Sequence, residues 1–124
     1  MKNETKFVPA DKVLRYVPSD DQRRVVMWHG VQIYIRRFIS FKESVEFVNY
    51  ILDISKNGLR EEMVDFAFRA NVIMTYTNIE LPNDLDEQYR LLYAGDLYGF
   101  ILKNINEEQI ASIKYAVELR INNN

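Results

Sequence analysis

The hydrophobic period of this chain changes near Ser40, and that change limits what it can fold into. From Val25 to Ile35 apolar residues alternate with a period of two, as in strands with one covered face. Beyond Ser40 they recur every three to four residues almost to the end, as in helices. Val25–Trp28 and Val31–Ile35 are separated by His29-Gly30. A two-residue loop ending in glycine predicts a type I′ hairpin, which needs positive φ at both positions. Histidine accepts that conformation better than most residues, though less well than Asn or Asp. Val31, Ile33 and Ile35 then share the covered face, and Gln32, Tyr34 and Arg36 the wetter one.

Ser40-Phe41-Lys42-Glu43 is a capping box, so a helix opens there. Its stripe reads Phe41, Val45, Val48 and Leu52, widened by Phe47 and Ile51, and Asn57-Gly58 stops it. A second helix runs from about Arg60 to Tyr76. Met63, Phe66, Ala67, Ala70, Ile73 and Met74 form its apolar face, extended by Val64, Phe68 and Val72. Asp65 and Arg69 sit four apart on its narrow polar strip and can pair. A helix this apolar is expected to be the central one. A third helix follows Asn83 or Asp84, with Leu85, Tyr89, Leu92 and Tyr93 inward, and Gly95 breaks it. Asp96 is placed to cap a short fourth helix bearing Leu97, Ile101 and Ile105. Asn106-Glu107-Glu108-Gln109 resembles another capping box. The last helix presents Ile110, Ile113, Val117 and Ile121, and Asn122-Asn123-Asn124 is expected to fray.

The expected class is α+β: an N-terminal antiparallel β-hairpin packed on a bundle of about four to five α-helices. At 124 residues one domain is the default. Residues 1–24 read as an extended arm or edge strands, with Phe7-Val8 and Val13-Leu14 as short strands. Residues 25–36 form the hairpin and 41–121 the helical part. A composition that is 48% hydrophobic supports a real core. There is no cysteine, hence no disulfide framework and no thiolate chemistry. The start lacks the apolar run of a signal peptide, and no apolar stretch approaches the roughly 18 residues of a membrane span. A soluble, intracellular protein with no membrane contact is expected.

Chemistry-bearing residues are sparse. His29 is the single histidine, and it sits at the hairpin tip, where few elements converge. It reads as a turn residue, and too few His/Cys ligands exist for a zinc site. Glu61, Glu62 and Asp65 open one helix, and Asp84, Asp86 and Glu87 another. Negative charge there is stabilised by the helix dipole, so these clusters read as structural. Asn57-Gly58 and Gly95–Gly99 match no phosphate loop or dinucleotide fingerprint. No catalytic residue, cofactor or metal is expected.

The net charge of −2 conceals a split, with +5 in residues 1–42 and −7 in residues 43–124. Such a split lets two halves of one fold, or neighbouring subunits, attract each other. It also suits a nucleic-acid face or an acidic partner. Arg23, Arg24, Arg36 and Arg37 flank the open ends of the hairpin. With Arg15 and Lys42 they would make a basic patch, and Trp28 and Tyr34 would add stacking groups for a single strand. The chain lacks a nucleic-acid motif and its overall balance is acidic, so nucleic acid is the secondary reading. Eight tyrosines point instead to protein contacts, where Tyr and Trp are enriched. Trp28, Tyr34, Tyr93 and Tyr98 are the contact candidates.

Trp28-His29-Gly30-Val31-Gln32-Ile33 is followed, after a helix, by Thr75-Tyr76-Thr77-Asn78-Ile79-Glu80-Leu81. With Leu91-Leu92-Tyr93 and Ile105-Asn106-Glu107-Glu108-Gln109-Ile110, this resembles a family of small proteins from phages and prophages of low-GC Gram-positive bacteria. The resemblance covers about residues 25–120 and rests on short structural motifs. It implies the same layout of hairpin, helices and a short helical C-terminus. It also implies a non-enzymatic interaction protein of virion assembly, in the tail or at the head–tail junction, or a minor virion component. Its expected partners are then phage structural proteins or further copies of itself, in the host cytoplasm and in the virion. The basic N-terminal arm is not explained by the resemblance.

Overall fold

The change of period at Ser40 marks the passage from a hairpin to a set of helices. A computed structural model describes residues 7–18, 23–56 and 61–122. The elements in chain order are α1 (Ala10–Leu14), β1 (Arg23–Trp28), β2 (Val31–Arg36), α2 (Phe41–Ser55), α3 (Glu61–Tyr76), α4 (Leu85–Tyr93), α5 (Leu97–Leu102) and α6 (Glu107–Asn122). The fold is mixed α+β and mostly helical. β1 and β2 pair antiparallel, from Trp28 opposite Val31 to Arg23 opposite Arg36. His29 and Gly30 take φ of 50° and 77°, the left-handed pair that a type I′ turn requires.

The helices are assembled around α3, which lies against α2, α4 and α5, while α6 packs on α2. The helix expected to be central, α3, therefore touches three others. The hairpin closes one end of this assembly. Ile33 and Ile35 enter the core with Ile39, Phe47, Ile51, Val72, Ile73, Tyr76 and Ile101. Ile35 bridges to Thr77 just past α3. The Asn78 amide donates to the Tyr34 carbonyl at 3.2 Å, and the Tyr34 amide donates to Asn78 Oδ1 at 3.0 Å. The free side of β2 is thus partly capped, and the Tyr-Thr-Asn-Ile segment sits against the hairpin.

Helix positions follow the sequence, but several faces are rotated. On α2 the buried residues are Phe47, Ile51 and Leu52, whereas Phe41 is 83% exposed and Val45 is exposed as well. On α3 Met63 and Met74 are half-exposed, and the buried face includes Phe68, Asn71, Val72 and Tyr76. On α4 Leu92 is buried, while Leu85 and Tyr89 face outward. A 3.6 period accommodates adjoining stripes on one helix, and the neighbours choose between them.

Two caps also differ from expectation. The Ser40 box is complete: the Glu43 amide donates to Ser40 Oγ at 3.2 Å and the Ser40 amide to Glu43 Oε1 at 3.3 Å. The Asn106 box is half made. The Gln109 amide donates to Asn106 Oδ1 at 2.9 Å, but the Asn106 amide donates to the Arg37 carbonyl at 2.8 Å. The Gln109 side chain is turned elsewhere. Asp96 makes no side-chain cap on α5. Asp84 does cap α4, accepting from the amides of Asp86 and Glu87.

At the N-terminal end Val13 and Leu14 lie on α1, not on an edge strand, and Phe7 and Val8 precede it in irregular backbone. Pro9 stands at the N-cap, where a missing amide proton costs nothing. The Asn57-Gly58 stop and residues 123–124 of the expected fray lie outside the described residues, as does the side chain of Glu61.

Candidate interaction surface

Cross-strand partners share a face, so the register divides the hairpin side chains into two sets. Ile33, Ile35, Val26 and Trp28 belong to the inner set and lie in or against the core. Arg23, Val25 and Met27 of β1, with Gln32, Tyr34 and Arg36 of β2, form the outer set. Val25, Met27 and Tyr34 on it are 50%, 59% and 45% exposed. The face expected to be the wetter one therefore carries three apolar groups, with Val25 directly opposite Tyr34. A solvated sheet face normally alternates to polar residues. Val25 and Met27 were not among the expected contacts, although the alternation of β1 places both on this face.

Trp28 lies at the tip of the inner face, partly buried. Its indole Nε1 donates to Asp96 Oδ1 at 3.2 Å, and its ring meets His29 edge-on at 4.5 Å. Asp96, which makes no side-chain cap on α5, thus has its carboxylate engaged by the hairpin. Tyr34 has its ring on the exposed outer face, held in place by its backbone bonds to Asn78.

Tyr93 and Tyr98, the other two expected partner contacts, are half-buried and make contacts within the fold. The Arg69 guanidinium lies over both rings, 4.1 Å from the Tyr93 centroid and 4.6 Å from that of Tyr98. Arg69 Nη1 donates to the Leu92 carbonyl at 3.0 Å, and its Nε pairs with Asp65 Oδ2 at 3.2 Å, the expected i,i+4 pair. The Tyr93 hydroxyl donates to the same Asp65 oxygen at 2.6 Å, and its ring stacks on Tyr89 at 4.7 Å. Burial, together with the Asp65 carboxylate, raises the Tyr93 pKa. Burial likewise pushes Tyr98 up to about 12. The Tyr93 hydroxyl and the two rings under Arg69 tie α3 to α4 and α5. Periodicity puts these tyrosines on helices, but only the crossing of α3 with α4 and α5 brings Arg69 between them.

The hairpin arginines are also divided. Arg36 Nη1 and Nη2 donate to the two Glu43 carboxylate oxygens, each at 2.6 Å, a bidentate fork that neutralises its charge. Hydrogen bonding from Arg36 holds the Glu43 carboxyl down at about 2. Arg36, one of the four residues of the expected nucleic-acid set, is thus held by a carboxylate of its own chain. Arg23, Arg24 and Arg37 remain exposed. Glu62, Asp65, Asp84, Asp86 and Glu87 do not converge, and among the described residues no three acidic or histidine side chains group to hold a metal. No helix among them is long and apolar enough to cross a membrane.

Comparison with protein-family models, curated proteins and solved structures yields no match to this chain.

Proposed function

We propose that this chain is a non-enzymatic interaction protein that docks a protein partner on the outer face of its hairpin. The observation that carries the reading is the apolar set Val25, Met27 and Tyr34, exposed on a sheet whose other face is in the core. The apolar centre would supply affinity by leaving water. Arg23, exposed at the open end of the same face, would orient an acidic partner. Trp28 would lend its exposed edge at the tip.

The proposed setting is phage particle assembly, in the tail or at the head–tail junction, or as a minor virion component. It rests on the motif resemblance. β2, which begins within the Trp28–Ile33 motif, reaches Thr77 and Asn78 of the second motif through its next two residues, Tyr34 and Ile35.

The test is co-expression with the structural proteins of the same phage or prophage, followed by affinity purification. Val25→Ser, Met27→Ser and Tyr34→Ser together should abolish retention of a virion protein. Thermal unfolding should barely move, since exposed substitutions usually shift stability within about 0.5 kcal/mol each. Retention that survives the triple change removes the hairpin face from the reading. Failure of every head and tail protein to copurify with the wild type removes the assembly role.

A further inference from the structure

We infer that residues 7–18 of one copy seat in a groove on the helical body of a second copy, and the reverse, giving a two-fold dimer. Ala10, Val13, Leu14 and Val17 fall at i, i+3, i+4 and i+7, one apolar stripe on a short helical segment bracketed by Pro9 and Pro18. The amides of Tyr16 and Val17 donate to the carbonyls of Val13 and Leu14, so the turn continues past α1. Such a short helix is marginal in water unless its stripe is covered. Within one chain it is not: every residue from Phe7 to Pro18 is exposed, Phe7 at 90%.

The body carries a matching recess. A groove of about 700 Å³ runs between α2, α3 and the segment after α3, with Tyr50, Phe66, Ala67, Ala70, Met74 and Leu81 in its walls. Tyr50 and Met74 are about half-exposed there. Among the described residues the charged wall residue is Glu80, and Glu46 stands exposed one turn before Tyr50. Lys12 and Arg15 flank the stripe of the arm. Apolar stripe meets apolar groove, and the cations of the arm meet the carboxylates of the rim. With Asp11 the arm has a net charge of +1, opposite in sign to the two carboxylates of the groove and its rim. Because each copy offers both surfaces, reciprocal exchange closes as a dimer.

Size-exclusion chromatography with light scattering on the full chain tests this at low and high salt. The wild type should be a dimer at low salt and dissociate more readily at high salt, where charge pairing is screened. Val13→Asp with Leu14→Asp lies on the exposed arm, leaves the body folded, and should weaken self-association about a hundredfold. Glu80→Lys with Glu46→Lys should weaken it, as should Lys12→Glu with Arg15→Glu. Combining the two reversals should restore the dimer. A wild-type monomer at both salts overturns the assignment, including the case where the arm folds onto its own groove. So does a dimer that survives the arm aspartates, or a charge swap that fails to restore. The triple serine variant of the hairpin face should still dimerise, so this pairing and the hairpin reading fail separately. Loss of the dimer in that variant would move the contact to the hairpin.

Discussion

Glu43 shows how one side chain can serve several local demands. Its amide is capped by Ser40, its carboxylate caps Ser40 in return, and both of its oxygens accept from Arg36. Arg36 stands opposite Arg23 in the hairpin, a like-charge pair that Glu43 relieves. The carboxylate pKa falls from 4.5 to about 2, mainly through the Arg36 hydrogen bond. A depressed carboxylate stabilises the fold fully above its unfolded pKa, and that stability is lost as pH falls from 4.5 towards 2. Discounted for a side chain that is 33% exposed, the contribution is about 1–2 kcal/mol. Urea unfolding of the wild type and Glu43→Gln should therefore differ by that amount at neutral pH and converge as pH falls towards about 2. A difference independent of pH would mean that the pair contributes through packing rather than charge. The Ser40 box was legible in the sequence, because both partners lie within four residues. The Arg36 fork was not: the sequence places Arg36 on a strand but does not show which carboxylate faces it.

At the scale of elements, Gln109 joins three of them. Its Oε1 accepts from the Ile39 amide at 2.9 Å and from the Tyr76 hydroxyl at 2.7 Å, and its Nε2 donates to the Ile39 carbonyl at 2.9 Å. The β2–α2 connection, the end of α3 and the start of α6 thus meet at one amide. Ile39 and Tyr76 are fully buried, so no water can replace those bonds. Burial raises the Tyr76 pKa as well, keeping the hydroxyl a donor. Gln109→Ala should cost about 1–3 kcal/mol, as expected when buried polar groups lose their partner. Tyr76→Phe should cost less in that background than alone, a coupling that a double-mutant cycle on denaturant midpoints would detect. The sequence made Gln109 visible as a capping residue at the start of α6. Its actual role depends on a connection 70 positions away. The same logic explains the rotated faces of α2, α3 and α4. Helical spacing names candidate stripes, and which of them is covered depends on where the neighbouring helices and the hairpin lie.

For the whole molecule, the hairpin and the helices share one core through Ile33, Ile35 and Ile39. The single Trp28 reports the hairpin end through its bond to Asp96, while far-ultraviolet circular dichroism reports the helices. Thermal unfolding followed by both should give one common midpoint, as a cooperative two-state unit does. An earlier fluorescence transition would show that the hairpin detaches before the bundle. By itself the sequence determined the order of elements from the hairpin onward, the type I′ turn, the α+β class and the charge division, because each is encoded by period, turn residues or composition within a short window, whereas α1 reads there as an edge strand. Tertiary structure alone decided that Tyr93 and Tyr98 enclose Arg69, that Arg36 is held by Glu43, and that Val25, Met27 and Tyr34 share an uncovered face. It also decided that the apolar arm finds no cover within its own chain. These outcomes depend on which distant surfaces meet, and burial and charge pairing at those meetings are properties of the packed whole.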